Sequence, residues 1–81
     1  MKIIKDESDK RLLIDEIVLK YKDSKTDILI ETEGGIYEIE NKNGKFINGN
    51  FDEKFDTLED ILDLLFDLLN LSDEIILNYY V

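Results

Sequence analysis

The chain has 81 residues, of which 20 are Asp or Glu and 10 are Lys or Arg, for a formal charge of −10. That length closes one hydrophobic core, so residues 1–81 read as one small domain and a multidomain enzyme is excluded. The 43% apolar share argues against a disordered acidic tail. Cys and His are both absent, which removes disulfide frames, zinc sites, nucleophilic triads and imidazole acid–base chemistry.

Taken in chain order, Ile3 and Ile4 suggest a short edge strand. Leu13, Ile14, Ile17, Val18 and Tyr21 recur at helical spacing, predicting a helix from Asp9 to Tyr21 with Ser8 or Asp9 as its cap. Ile28, Ile30 and Thr32 then alternate with Leu29, Glu31 and Glu33. Gly34-Gly35 supplies a two-residue turn, and Ile36 to Glu40 resumes the alternation. Asn43-Gly44 is a second hairpin signal leading into Lys45-Phe46-Ile47, so three antiparallel strands form a meander. Thr57, three residues before Asp60, approximates a capping box and opens an apolar-rich helix that runs to about Asn70. The β-branched and aromatic tail from Ile75 to Val81 reads as a strand, paired in the sheet or in a subunit interface. A helix starting at Ser72 is its alternative. The expected fold is α+β: a three-stranded antiparallel meander plus a C-terminal strand, packed against two helices.

The charge is polarised along this plan. Residues 1–45 carry a net −2, whereas residues 46–81 hold only Lys54 against nine acids, a net −8. At about 100° per residue, Leu58, Ile61, Leu62, Leu65, Leu68 and Leu69 fall on one side of the second helix and Asp60, Asp63 and Asp67 on the other. Asp56 continues that line and Glu59 flanks it. Like charges three and four residues apart destabilise a helix by about 0.2–0.5 kcal/mol per pair, and no Lys or Arg is interleaved to relieve them. The bland reading is a solvated acidic face. Leu64, Phe66 and Leu71 widen the apolar arc, which favours packing between the sheet and the first helix, with a homodimer as the alternative.

The hairpin repeats the theme. A Gly34-Gly35 loop sets Glu31 directly opposite Glu38, with Glu33 and Glu40 on the same face and Ile28, Ile30, Tyr37, Ile39 and Phe46 on the core face. A directly opposed Glu pair costs stability, so Glu31 and Glu38 form a second cluster that folding does not explain. Lys42 and Lys45 close the far end of that face.

Chemistry of other kinds is weak. Ser8, Ser24 and Ser72 have no plausible base, and paired carboxylates lack room for a useful pocket in so small a domain. Asn48, Asn50, Asp52, Lys54, Asp56 and Glu59 match alternate positions of a calcium loop. However, Glu53 stands where the sharp-turn Gly is required, and a strand precedes the segment instead of a helix. A polar loop feeding a capped helix is the better reading, and no metal or cofactor is expected.

Negative charge disfavours direct binding to nucleic acid and to anionic lipid, and steers the protein toward a basic partner. Without a cysteine frame, a signal-peptide core or a transmembrane run, a cytoplasmic location is expected. In size, acidity and small α+β layout the chain resembles the anti-CRISPR proteins with which phages block CRISPR effector nucleases. Some of those proteins occupy the site where a nuclease reads its short duplex motif through arginines. The resemblance is one of design and transfers no residues. It implies an acidic, non-enzymatic inhibitor acting in a bacterial host cell, with a basic nucleic-acid-binding protein as its partner, and a monomer or homodimer as its state. The partner-binding residues expected from charge geometry alone are Asp56, Glu59, Asp60, Asp63, Asp67, Glu31 and Glu38. Two other classes fit the same charge: an immunity or antitoxin-type protein that neutralises a basic toxin nuclease, and a plain structural or dimerisation domain.

Overall fold

A computed structural model describes residues 2–23, 25–69 and 75–81. Its elements are β1 (Lys2–Ile4), α1 (Glu7–Tyr21), β2 (Ile28–Thr32), β3 (Gly35–Lys42), β4 (Lys45–Ile47), α2 (Leu58–Leu68) and β5 (Ile75–Tyr80). The strands make one sheet in the order β1-β5-β2-β3-β4, antiparallel throughout. The α+β plan, with its meander β2-β3-β4 and C-terminal strand, is the one expected.

The tail is a strand, not a helix. It is inserted between β1 and β2, so the uncharged Ile-Leu-Tyr segment has a hydrogen-bonded neighbour on both sides and presents no free edge. The edge at β4 is covered by local chain, because Phe46 and Phe55 exchange both backbone hydrogen bonds, at 2.8 and 2.9 Å. Residues 70–72, where the expected helix end, Leu71 and the alternative helix start fall, lie outside the described residues, as does Ser24.

The cap of α1 differs from the expected Ser8 or Asp9. Asp6 is in extended conformation and its carboxylate accepts from the Asp9 amide at 2.9 Å, while the Asp9 carboxylate accepts from the Lys5 amide at 3.1 Å. The Asp6 carboxylate satisfies an amide that the helix leaves over and the Asp9 carboxylate ties down the residue before the cap, and together they start the helix two residues earlier than the apolar spacing suggests. Thr57 caps α2 as expected, its hydroxyl accepting from the Asp60 amide at 3.1 Å.

Both helices cover one face of the sheet. The core joins Leu13, Ile14 and Ile17 of α1, Leu58, Ile61, Leu62, Leu65 and Phe66 of α2, and Ile4, Ile28, Ile30, Ile39, Phe46 and Leu77 of the sheet. The α2 arc is rotated from the expected one. Phe66 is fully buried and Leu68 is 51% exposed, because α2 meets both α1 and β4 and its widest side chain fills the angle between them. No helix among the described residues is long and apolar enough to cross a membrane.

Candidate functional site

The acidic stripe on α2 is directed toward α1 instead of standing free. Lys10 and Arg11, adjacent on α1, reach across to it. Lys10 Nζ donates to Asp67 Oδ1 at 2.5 Å and lies 3.7 Å from Glu7. The Arg11 guanidinium donates to Glu59 at 3.3 Å and to Asp63, with Asp15 at 4.0 Å. Asp56 pairs with Lys45 of β4. The expectation that no cation relieves the stripe is therefore corrected. The relieving cations come from 11 to 57 residues away, so the helix's own spacing gives no sign of them. Asp60 alone of the five stripe acids has no ion pair among the described residues.

These pairs leave an electrostatic signature. The Asp67 hydrogen bond raises the Lys10 pKa above its ordinary value, overcoming the lowering effect of burial. For Arg11, partial burial works downward, and the carboxylates of Asp63, Asp15 and Glu59 outweigh it to raise the pKa. A second cluster ties α1 to β5: the Tyr79 hydroxyl donates to Glu16, which also accepts from Lys2 at 3.0 Å. Burial and the Glu16 bond push Tyr79 up to about 12, and the Tyr79 and Lys2 hydrogen bonds lower Glu16. These groups stabilise the fold, and their charges are matched internally.

The sheet presents the other candidate surface. The β2–β3 register pairs Leu29 with Glu38, Ile30 with Tyr37 and Glu31 with Ile36. Glu31 is therefore not opposite Glu38, as the Gly34-Gly35 turn implied, but diagonal to it. The turn sits one residue earlier, at Glu33-Gly34. The Thr32 hydroxyl accepts from the Gly34 amide at 3.1 Å and donates to the Gly35 carbonyl at 3.3 Å, holding that geometry, and Gly35 opens β3 at φ +143°, which only glycine adopts readily. The two-residue shift keeps each side chain on its expected face. Glu31 and Glu38 do share the face away from the helices, and among the described residues neither has an ion pair, while Glu40 is paired with Lys42 at 3.0 Å.

On that same open face lie residues the charge reading passed over. Ile3 is 48% exposed, Ile36 58% and Tyr80 39%, and Leu29, Ile47 and Ile76 are half-buried. Ile3 pairs with Ile76 and Leu29 with Tyr80 across neighbouring strands, with the Asn78–Glu31 pair between them. The signal for them was present in the alternation, since Ile36, Ile76 and Tyr80 fall out of phase with the core residues beside them.

The segment 48–59 directs its polar groups to the fold. Buried Asn48 donates through Nδ2 to the Glu38 carbonyl at 2.8 Å and accepts through Oδ1 from both the amide and the side chain of Asn50, at 2.8 and 3.0 Å. With Asp56 on Lys45 and Glu59 on Arg11, three groups at calcium-loop positions are committed elsewhere. No group of three or more His, Cys, Asp or Glu among the described residues is arranged to hold a metal ion. Recognition of cations by carboxylates beside apolar side chains is the chemistry this surface offers.

No protein-family model matches the sequence, and neither a curated protein nor a solved structure matches it.

Proposed function

We propose that this chain is a non-enzymatic, acidic binding protein that inhibits a nucleic-acid-binding enzyme by covering its basic DNA- or RNA-holding surface, inside a bacterial cell. A nuclease of the CRISPR effector type is the target class that the design resemblance favours. The observation that carries the reading is charge left over after folding: Glu31 and Glu38 lie on an open face without an ion pair among the described residues, within a chain of net charge −10. Surfaces that hold nucleic acid are the commonest strongly basic surfaces in a cell, and carboxylates placed on them compete with phosphates for the same Arg and Lys groups.

The test is capture from lysate with the tagged full chain, followed by competition. The captured protein should bind DNA or RNA by itself, lose that binding as this chain is added, and release this chain steeply as salt rises, because exposed charges are screened beyond a Debye length of ~8 Å at physiological ionic strength. A partner without nucleic-acid affinity, or binding indifferent to salt, contradicts the proposal.

A further inference from the structure

An antiparallel sheet with one face covered by helices normally presents polar side chains on the other. Here the uncovered face carries Ile3, Leu29, Ile36, Ile47, Ile76 and Tyr80. Single exposed apolar residues are ordinary, but a contiguous set marks an interaction surface. On β5, β2 and β3 two adjacent cross-strand rows, Tyr80–Leu29–Glu38 and Asn78–Glu31–Ile36, interleave apolar with acidic side chains, and the pair Ile3–Ile76 lies beyond Asn78. Glu31 and Glu38 are each paired across the β2–β3 ladder with an apolar residue, Ile36 and Leu29 respectively. A shallow hollow of about 190 Å³ at the β2–β3 turn end is lined by Glu31, Glu33, Ile76 and Asn78, with Thr32 and Leu77.

Charge decides what covers this face. A second copy would bring the same glutamates toward one another in a partly desolvated contact, and like charges juxtaposed in an interface cost several kcal/mol. A membrane or nucleic acid has the wrong sign. What matches is a surface that presents cations next to apolar groups. Arginine suits it better than lysine, because the guanidinium fork engages carboxylates bidentately and its plane stacks on a tyrosine ring.

We propose that the open face of the sheet, and not the α2 stripe, is the docking surface, and that it takes an arginine-bearing partner surface whose apolar side chains cover Ile36 and Tyr80 while guanidinium groups engage Glu31 and Glu38. This rests on the acidic-binding reading above and locates it. Four of the five stripe acids serve the fold through Lys10, Arg11 and Lys45, whereas both glutamates of the sheet face are without an ion pair among the described residues and stand next to apolar side chains.

The experiment titrates the 15N-labelled full chain with two synthetic peptides of equal charge, one alternating Arg with Leu and one alternating Lys with Gly. The expected result is tighter binding of the Arg–Leu peptide, with amide shifts confined to Leu29, Glu31, Ile36, Glu38 and Asn78–Tyr80. Replacing Glu31→Gln with Glu38→Gln should weaken that binding at least tenfold and flatten its salt dependence, whereas Asp60→Asn should leave it unchanged. Ile36→Ser, at an exposed position, gives a second readout should the double variant fail to fold, and should weaken the Arg–Leu peptide but not the Lys–Gly one. Shifts centred on α2 and lost with Asp60→Asn overturn the docking surface while leaving the acidic-binding reading intact. Absence of salt-dependent binding to either peptide overturns both. A homodimer in sedimentation equilibrium that buries the sheet face overturns the proposed occupant.

Discussion

Substituting Asp67→Asn separates two accounts of the α2 acids by the sign of its effect. Asp67 lies in the last turn of α2, four residues after Asp63. If its carboxylate were merely solvated, neutralising it would relieve an unfavourable helix-dipole interaction of about 0.3–1 kcal/mol and a like-charge pair of about 0.2–0.5 kcal/mol, making the variant more stable. The structure places that carboxylate 2.5 Å from Lys10 Nζ, with the Lys10 side chain only 9% exposed and the Asp67 side chain 64% exposed. A hydrogen bond between charged groups contributes about 1.5–3 kcal/mol. The exposure of Asp67 and the nearby Glu7 at 3.7 Å put this one at the lower end, and the Asn carbonyl keeps an acceptor in place. After subtracting the relieved repulsions, a net loss of up to about 1 kcal/mol remains, equivalent to a fall in melting temperature of at most roughly 4–8 °C for a domain of this size. Thermal unfolding followed by circular dichroism at pH 7 and low salt reads it, with Asp60→Asn as the control, expected within about 0.5 kcal/mol of the parent. An Asp67→Asn protein that melts at or above the parent temperature would refute the α1–α2 ion pair as a stabilising contact. By the same geometry, reversing Asp63 and Asp67 to Lys would stand lysines against Arg11 and Lys10 and damage the fold itself.

Three further predictions follow from the packing and the shifted groups. Tyr79 titrates at about 12, with burial and its bond to Glu16 as the causes. Its folded pKa lies above the unfolded value near 10, so its contribution to stability is complete below pH 10 and is lost between about pH 10 and 12. Absorbance of tyrosinate should show one group titrating about two units late, and Tyr79→Phe should remove it, cost about 1–2 kcal/mol at pH 7 and return Glu16 toward its ordinary pKa. Phe66→Ala should cost about 3–5 kcal/mol in denaturant unfolding, since Phe66 is fully buried, whereas Leu68→Ala at an exposed position should cost far less; equal losses would contradict the rotated α2 arc. Asn48→Ala should cost about 1–3 kcal/mol by leaving the Glu38 carbonyl without its side-chain donor, and an unchanged unfolding midpoint would count against that bond.

The elements were legible where local chemistry sets them. Alternation placed β2 and β3, Asn43-Gly44 placed the second turn, with Asn43 at φ +54° and Gly44 at φ +80°, and Thr57 capped α2. What failed was decided by groups outside the pattern being read. The Thr32 hydroxyl moved the first turn by one residue and the register by two. Asp6, capping the Asp9 amide while Asp9 accepts from the Lys5 amide, lengthened α1 beyond its apolar spacing. Phe66 displaced Leu68 from the core because α2 has a neighbour on each side, which a single-stripe projection does not represent. The site was half legible. The Glu face was read correctly as a face, since a shift of two residues preserves side-chain direction. The α2 stripe reads as uncompensated from sequence because Lys10 and Arg11 are remote along the chain, although the only Arg in the sequence, beside a Lys near the start of the first helix, is a usable hint. Insertion of β5 between β1 and β2 has no local signature, and it alone brings Tyr80 beside Leu29 and Ile76 beside Ile3.

The central claim is that recognition belongs to the open sheet face and stability to the α2 acids. The measurement that tests it most directly is the affinity of the partner captured from lysate for Glu31→Lys/Glu38→Lys, set beside that for Asp60→Lys, with both variants confirmed as folded. The account predicts at least a hundredfold loss for the sheet pair and less than a threefold change for Asp60→Lys. The reverse order, with the sheet variant binding as tightly as the parent, would contradict it.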